Sequence, residues 1–333
     1  MAEVEIPNVT AIPDLRFRTF AGDDDVPAMV DVASAAMRAN GVGWAWTRES
    51  LSHELANPTH ADPTRDVLLA FVGECLVAWS QTEWVDSNEG ERLYWAVGHV
   101  HPEWRRRGLG TAMLRHDERR RRGIAASHDT DRPRILLSWV EDPDAGGLAL
   151  LAGQGYERTR TYFHMIRPDM DDIDLPSLPP GIEVRPVTPD DLPRVWAAIS
   201  EAFRDHFGEH DVSDAAFRRW SGDPDFDLQL LVVAFDGDEV AAGVQGSISA
   251  TENTANGYLR GWADPVFTRR AWRRRGLASA LLGRALVRLS ERGMTSAQLD
   301  VDSENPNRAL GLYERHRFVT DHTSSEWRKP LAS

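Results

Sequence analysis

A chain of 333 residues exceeds most single domains, so two domains of about 150 residues each are expected. Apolar residues make up 41% and charged residues 27%, which excludes both a disordered chain and a membrane-embedded one. The formal net charge of -14 argues against a broad phosphate-backbone interface, so no nucleic-acid partner is expected. No apolar run approaches the roughly 20 residues of a membrane helix. The opening MAEVEIPNVT also lacks the basic and apolar regions of a secretory signal, so a cytoplasmic protein with no membrane partner is expected.

In chain order, LRFRTFAGDDDVPAMVDVASAAM (15–37) predicts a strand, an acidic turn and an apolar-periodic helix. DVLLAFVGECLVAWSQTEWV (66–85) predicts two strands around a tight glycine turn, with the single cysteine, Cys75, buried in the second. ERLYWAVGHV (91–100) is a further strand, followed by a helix through TAMLRHDERRRR that closes at Gly123. The basic run 118–122 sits at that helix end, where positive charge complements the carbonyls, and is read as structural. Strand RILLSWV, another helix and a short strand follow. A stretch rich in Pro and Asp, PDMDDIDLPSLPPG (168–181), reads as a linker between domains 1–167 and 182–333.

The same order then repeats. IEVRPVTPDDLPRVWAAISEAF (182–203) matches the first segment, LQLLVVAFDGDEVAAGVQGSISA (228–250) the hairpin, and GYLRGWADPVFT (257–268) the next strand. SALLGRALVRLSER is the following helix, closed at Gly293, and AQLDVD the strand after it. Each half therefore predicts an α/β fold, a mixed and mainly antiparallel sheet flanked by helices.

The hexamer WRRRGL occurs at 104–109 and again at 272–277, each time between a strand end and a helix start. The first N–H groups of a helix have no partner inside it, and the positive helix end favours an anion. Gly108 and Gly276 let a ligand approach the backbone, while Gly110 and Ala278 keep bulk away. Such a turn suits a diphosphate, with the arginines adding charge-assisted bonds to outlying oxygens.

Arg105-x-x-Gly108-x-Gly110 and Arg273-x-x-Gly276-x-Ala278 resemble the acyl-CoA pyrophosphate loop, [Q/R]-x-x-G-x-[G/A], of the GNAT N-acetyltransferases. The two copies in matching order resemble the tandem two-domain type of that superfamily. The resemblance implies two GNAT folds and acetyl-CoA as co-substrate. It assigns to the cofactor Arg105, Arg106, Arg107, Gly108, Leu109, Gly110 and Thr111 in the first half. In the second half it assigns Arg273, Arg274, Arg275, Gly276, Leu277, Ala278 and Ser279. The pantetheine arm would pair like an added strand with main chain at Gly98, His99 and Val100, and at Val266, Phe267 and Thr268.

DVDSENPNRALGLYERHRF (300–318) resembles the family's second signature, with Asn305 beside the cofactor and Tyr313 near the thioester sulfur. A phenol there can protonate the departing CoA thiolate. The segment departs from the pattern at His316 and Arg317, where a glycine usually precedes the aromatic residue. Aligning Gly155-Tyr156 with Arg317-Phe318 puts Leu151 at the position of Tyr313, so the first domain is expected to be silent or weak.

The attacking amine must shed a proton held to a pKa near 10, which calls for a base. The usual places on the fourth strand hold Tyr94 and Trp262, and Asp264, on the strand face of Trp262, is the nearest carboxylate. His206, Glu209 and His210 form a second set or a plain polar loop, and Trp44, Trp46 and Trp220 are either pocket walls or core. His99 and His101 share a strand face without a third ligand at metal spacing, so no metal is expected. The expected activity is acetyl transfer from acetyl-CoA to a primary amine of a small molecule by direct attack. The alternatives are a peptide or protein acceptor, or a CoA-binding regulatory module.

Overall fold

A computed structural model describes residues 3–7, 12–43, 46–208, 211–305 and 309–331. It divides into two compact units, Met1–Arg160 with Ser324–Ser333 (unit one) and Thr161–Thr323 (unit two).

Unit one begins with β1 (Leu15–Thr19) and α1 (Val26–Ala39). Val26, Met29, Val32 and Ala33 repeat at helical spacing, and this stripe is buried in a core shared with Trp79 and the inward residues of the second strand. α2 (Arg48–Ala56) and α3 (Pro63–Asp66) lead to the hairpin of β2 (Val67–Val72) and β3 (Cys75–Asp86). β4 (Arg92–Val100), α4 (Leu109–Ala126), β5 (Arg134–Glu141) and α5 (Ala145–Gly153) follow. The pairs β1–β2, β2–β3 and β3–β4 are antiparallel, whereas β4–β5 is parallel and needs α4 as its crossover.

Three local expectations change. Cys75 is exposed, because it is the first residue after the hairpin turn rather than a mid-strand position. Gly123 does not close α4, which continues to Ala126 because Ala125 and Ile124 pack into the core below it. The basic run 118–122 is structural, but not through the helix dipole. Arg121 is fully buried, with Nη1 donating to the carbonyls of Tyr94 and Leu137 at 2.9 Å and Nη2 to the Tyr156 hydroxyl at 2.9 Å.

β6 (Glu157–Arg167) leads into unit two, which repeats the plan. Its elements are β7 (Ile182–Val184), α6 (Leu192–Phe203), α7 (Asp214–Ser221), β8 (Phe226–Asp236), β9 (Glu239–Ser247) and α8 (Ala250–Asn256). β10 (Arg260–Thr268), α9 (Leu277–Glu291), β11 (Ser296–Asp302), α10 (Ala309–Arg315) and β12 (Val319–Pro330) complete the chain. Strand alternation splits the core. Val232, Val244, Ala263 and Leu299 face α9, while Leu231, Val233, Phe235 and Phe267 face α6.

The closing strands are exchanged. Tyr162–Arg167 of β6 pair with β11 in unit two, and Ser324–Pro330 of β12 pair with β5 in unit one. The division therefore differs from 1–167 and 182–333. A period-two strand fits either sheet, and only register decides which one it joins.

The segment 168–181 is irregular, as its composition predicts, but it belongs to unit two and packs within it. Met170, Ile173 and Leu178 lie on the α9 core, and Arg284 Nη1 donates to the Pro176 carbonyl at 3.0 Å. The Asp174 carbonyl crosses α9 at Gly283, where a Cβ would stand 2.2 Å from its oxygen. Gly283→Ala is therefore expected to cost about 1–3 kcal/mol and to lower the melting midpoint by several degrees. An unchanged midpoint in a thermal melt would contradict this close crossing.

Candidate active site

The two hexamers fold alike. After a short 3-10 turn, Arg106 and Arg274 both sit at φ 62°, and Gly108 and Gly276 both cap their helices at φ 82°. That left-handed conformation is costly for any side chain and natural for glycine. Neither helix start has a side-chain cap. The first backbone bonds made inside the helices are Ala112 N to Gly108 O and Ala280 N to Gly276 O. Among the described residues, the N–H groups of Leu277, Ala278 and Ser279, and of Leu109, Gly110 and Thr111, have no protein acceptor. Each turn thus points free N–H donors outward at the positive end of a long helix, an arrangement that favours an anion.

The arginines divide their work. Arg273 Nε donates to the Thr268 carbonyl at 3.1 Å, Nη2 to the Ala202 carbonyl at 3.0 Å and Nη1 to Asp205 at 2.7 Å. Arg105 mirrors this with the Val100 carbonyl, the Ala36 carbonyl and Asn40. Arg273 braces its loop against the end of α6 and Arg105 its own against the end of α1, so these guanidinium groups are engaged within the protein. Arg107 lies over the Trp104 ring, while Arg106, Arg274 and Arg275 are exposed.

β10 and β11 pair only from Arg260↔Ser296 to Trp262↔Gln298. Beyond Trp262 the strands fork, and a bulge between Ala263 and Val266 shifts β10 against β9. Val266, Phe267 and Thr268 keep their pairing with β9, so the edge of β10 toward the fork is open for an extended ligand.

Asp264 stands at this fork. It makes no hydrogen bond or ion pair among the described residues, and burial, with the nearby Asp300 charge, pushes its carboxyl up to about 7. Tyr313 is buried in the adjoining core, with its ring edge-on to Phe318. Burial, and secondarily the charge of Asp264, raises its phenol above the ordinary range. The two residues singled out from the sequence are therefore close enough to act on each other electrostatically. Asn305 lies in the turn after β11, its N–H bonded to the Asp302 carbonyl at 3.0 Å.

Backbone hydrogen bonds fix the correspondence of the halves. Phe318 N donates to Tyr313 O at 3.0 Å, and Tyr156 N donates to Leu151 O at 3.1 Å. Arg317 takes φ 65° where Gly155 takes 79°, so the turn forms without glycine. Arg317 is further held by the Asp171 carbonyl at 3.1 Å. The position matching Asp264 is Ala96, whose carbonyl accepts from Ser138 Oγ at 2.8 Å. In unit one β4 and β5 stay paired through Ala96↔Ser138, closing the place where unit two forks. His99 there is buried against Trp79, and desolvation lowers its imidazole to about 4.

His206 stacks on Phe203, and burial lowers its imidazole, with Arg273, Asp302 and Asp205 as charged neighbours. Trp220 donates to Gln245 Oε1 at 2.7 Å and packs with Trp196, Phe217 and Phe226, so it is part of a core rim. Trp46 packs on the α1 core of unit one. Trp44, Glu209 and His210 lie outside the described residues. Sequence reasoning missed Asp300 and its partner His164, which are 2.6 Å apart.

The model of the acetyltransferase (GNAT) family matches residues 192–318. The chain is 31% identical over 231 residues to mycothiol acetyltransferase of Kineococcus radiotolerans, covering 68% of each. It is 29% identical to that of Streptomyces scabiei, over 95% of this chain and 93% of the relative. Among solved structures, a GCN5-related N-acetyltransferase from Sphaerobacter thermophilus superposes with TM-score 0.72 at 23% identity, over 97% of this chain and 98% of that one. A tandem GNAT protein from the clavulanic acid biosynthesis pathway superposes with TM-score 0.70 at 18% identity, over 96% and 99%. By these matches the chain belongs to the GNAT acetyltransferase family and is an N-acetyltransferase that uses acetyl-CoA as co-substrate.

Proposed function

We propose that unit two transfers the acetyl group of acetyl-CoA directly to a primary amine of a small molecule, and that unit one keeps a diphosphate seat without turnover. The carrying observation is that unit two places Asp264 where β10 and β11 part, beside the core that buries Tyr313, whereas unit one has Ala96, still paired with Ser138, and Leu151 at the matching positions. Asp264 removes a proton from the acceptor ammonium, and the neutral amine attacks the thioester carbonyl. As the tetrahedral intermediate collapses, the C–S bond breaks, the thiolate receives the Tyr313 proton, and the nitrogen gives up its remaining extra proton to the tyrosinate, which restores the phenol and leaves a neutral amide. Leu277, Ala278 and Ser279 offer their N–H groups to the diphosphate, and the open β10 edge offers main chain to the pantetheine arm.

Relatives named mycothiol acetyltransferase support a small acceptor over a peptide. Acetyl-CoA dependence also fits a cytoplasmic enzyme. The test is CoA release from acetyl-CoA with a panel of amino sugars, amino acids, polyamines and lysine peptides. Turnover that depends on a small amine is expected, and turnover confined to the peptides would overturn the reading. Exposed Cys75 adds only a stoichiometric background to a thiol-reagent assay.

A further inference from the structure

The fork of unit two carries more than Asp264. On β11, Ala297, Leu299 and Val301 are buried toward α9, so Gln298 and Asp300 belong to the opposite face. Asp300 is the next residue on that face beyond the last β10–β11 pair, Trp262↔Gln298, as Asp264 is on β10. The register of β6 on β11 sets His164 directly opposite Asp300. Their side chains meet at 2.6 Å, Nδ1 to Oδ1. A carboxylate can only accept, so Nδ1 carries the proton and His164 is the donor. His164 is in turn stacked on His322, ring centroids 4.2 Å apart and planes 10° from parallel.

The corresponding places in unit one are filled differently. Ala96 stands for Asp264 and Ser138 for Asp300, and the residue paired with Ser138 is Trp327. At these matching places, among the described residues, the carboxylate–imidazole pair occurs in unit two and not in unit one.

We propose that His164 and Asp300 are positioning residues of the transfer reaction: the imidazole pins the Asp300 carboxylate at the fork, and that fixed negative charge makes Asp264 a stronger base. The inference rests on the reading of Asp264 as the base. Like charges close together disfavour a second ionisation, so Asp300 favours the protonated form of Asp264 and with it proton capture from an ammonium. The other titratable groups around the fork in unit two are Tyr313 on α10, His322 beside Asp321 on β12, and Glu252 on α8. Glu252 is engaged by Trp262, Gln298 and Tyr258, and His206 has Arg273, Asp302 and Asp205 as charged neighbours. β6 belongs to the first sequence repeat, so the strand exchange supplies the pinning residue to the second.

The test is the pH profile of kcat/KM with acetyl-CoA and the primary amine that the parent turns over fastest. The parent should show an acid limb near pH 7, the value to which Asp264 is raised. Asp264→Asn should remove the limb. Asp300→Asn should move it down by about one pH unit, raising kcat/KM at pH 6 about fivefold relative to the pH 9 plateau, with KM for acetyl-CoA within about twofold of the parent. His164→Phe should move it in the same direction by less. His164→Asn, which keeps a donor close to the place of Nδ1, should restore the parent limb. A limb that stays put in Asp300→Asn, while Asp264→Asn still removes it, overturns the proposal and leaves the base assignment standing. A limb that survives Asp264→Asn overturns the base assignment and the proposal together.

Discussion

Tyr313→Phe is expected to lower kcat by about 10²- to 10³-fold while leaving KM for acetyl-CoA within about twofold. The ring of Tyr313 is part of the core that also holds Phe318, Leu281 and Val301, and phenylalanine keeps all of that packing. Only the hydroxyl is lost. It makes no hydrogen bond among the described residues, so its removal leaves no protein group stranded. Burial and the Asp264 charge both hold the phenol protonated, so no basic limb from Tyr313 is expected below about pH 10. Those same causes would make Tyr313 a poor acid in the resting site. In the proposed mechanism, proton capture by Asp264 removes that charge, so the phenol, still held up by burial, becomes more acidic just before the thiolate departs. An unchanged kcat, read by CoA release alongside a normal acetyl-CoA binding isotherm, would remove Tyr313 from the acid role.

Much of the fold is written in periodicity. The apolar stripe of α1, the glycine turn between β2 and β3 and the glycine in each hexamer all stand where spacing predicts them. The exchange of β6 and β12 is not written there, because their alternation serves either sheet equally and pairing is a non-local choice. Arg121 shows the same limit. A basic run at a helix end reads as a complement to the carbonyl end of the helix, and only the packed structure reveals that one guanidinium instead holds strand carbonyls and a phenol.

The site divides along similar lines. Tyr313 and Asp264 can be found because one lies in a recognisable segment and the other on a strand of known face. Asp300 and His164 cannot, since they are far apart in sequence and meet only through the β6–β11 register. Charge alone makes the first arginine of each hexamer a phosphate ligand. Its place beside a helix end instead gives it carbonyls to hold, a partner set that charge does not reveal. Two near-identical loops thus sit on unequal sites, one forked and acidic, the other closed by Ser138 and Ala96.

The central claim is that chemistry resides in unit two alone, and mirrored loop substitutions test it most directly. Gly276 and Gly108 share φ 82°. At Gly276 no atom lies within 4 Å of the place a Cβ would take, so the penalty for a β-branched residue there is conformational rather than steric. A strained left-handed valine costs about 2–3 kcal/mol, which either distorts the anion seat or forces the loop to rearrange. Gly276→Val is expected to lower kcat/KM for acetyl-CoA by about 10²-fold, and Gly108→Val to leave it within about threefold. The reverse order, with Gly108→Val inactive and Gly276→Val active, would contradict the assignment of catalysis to unit two.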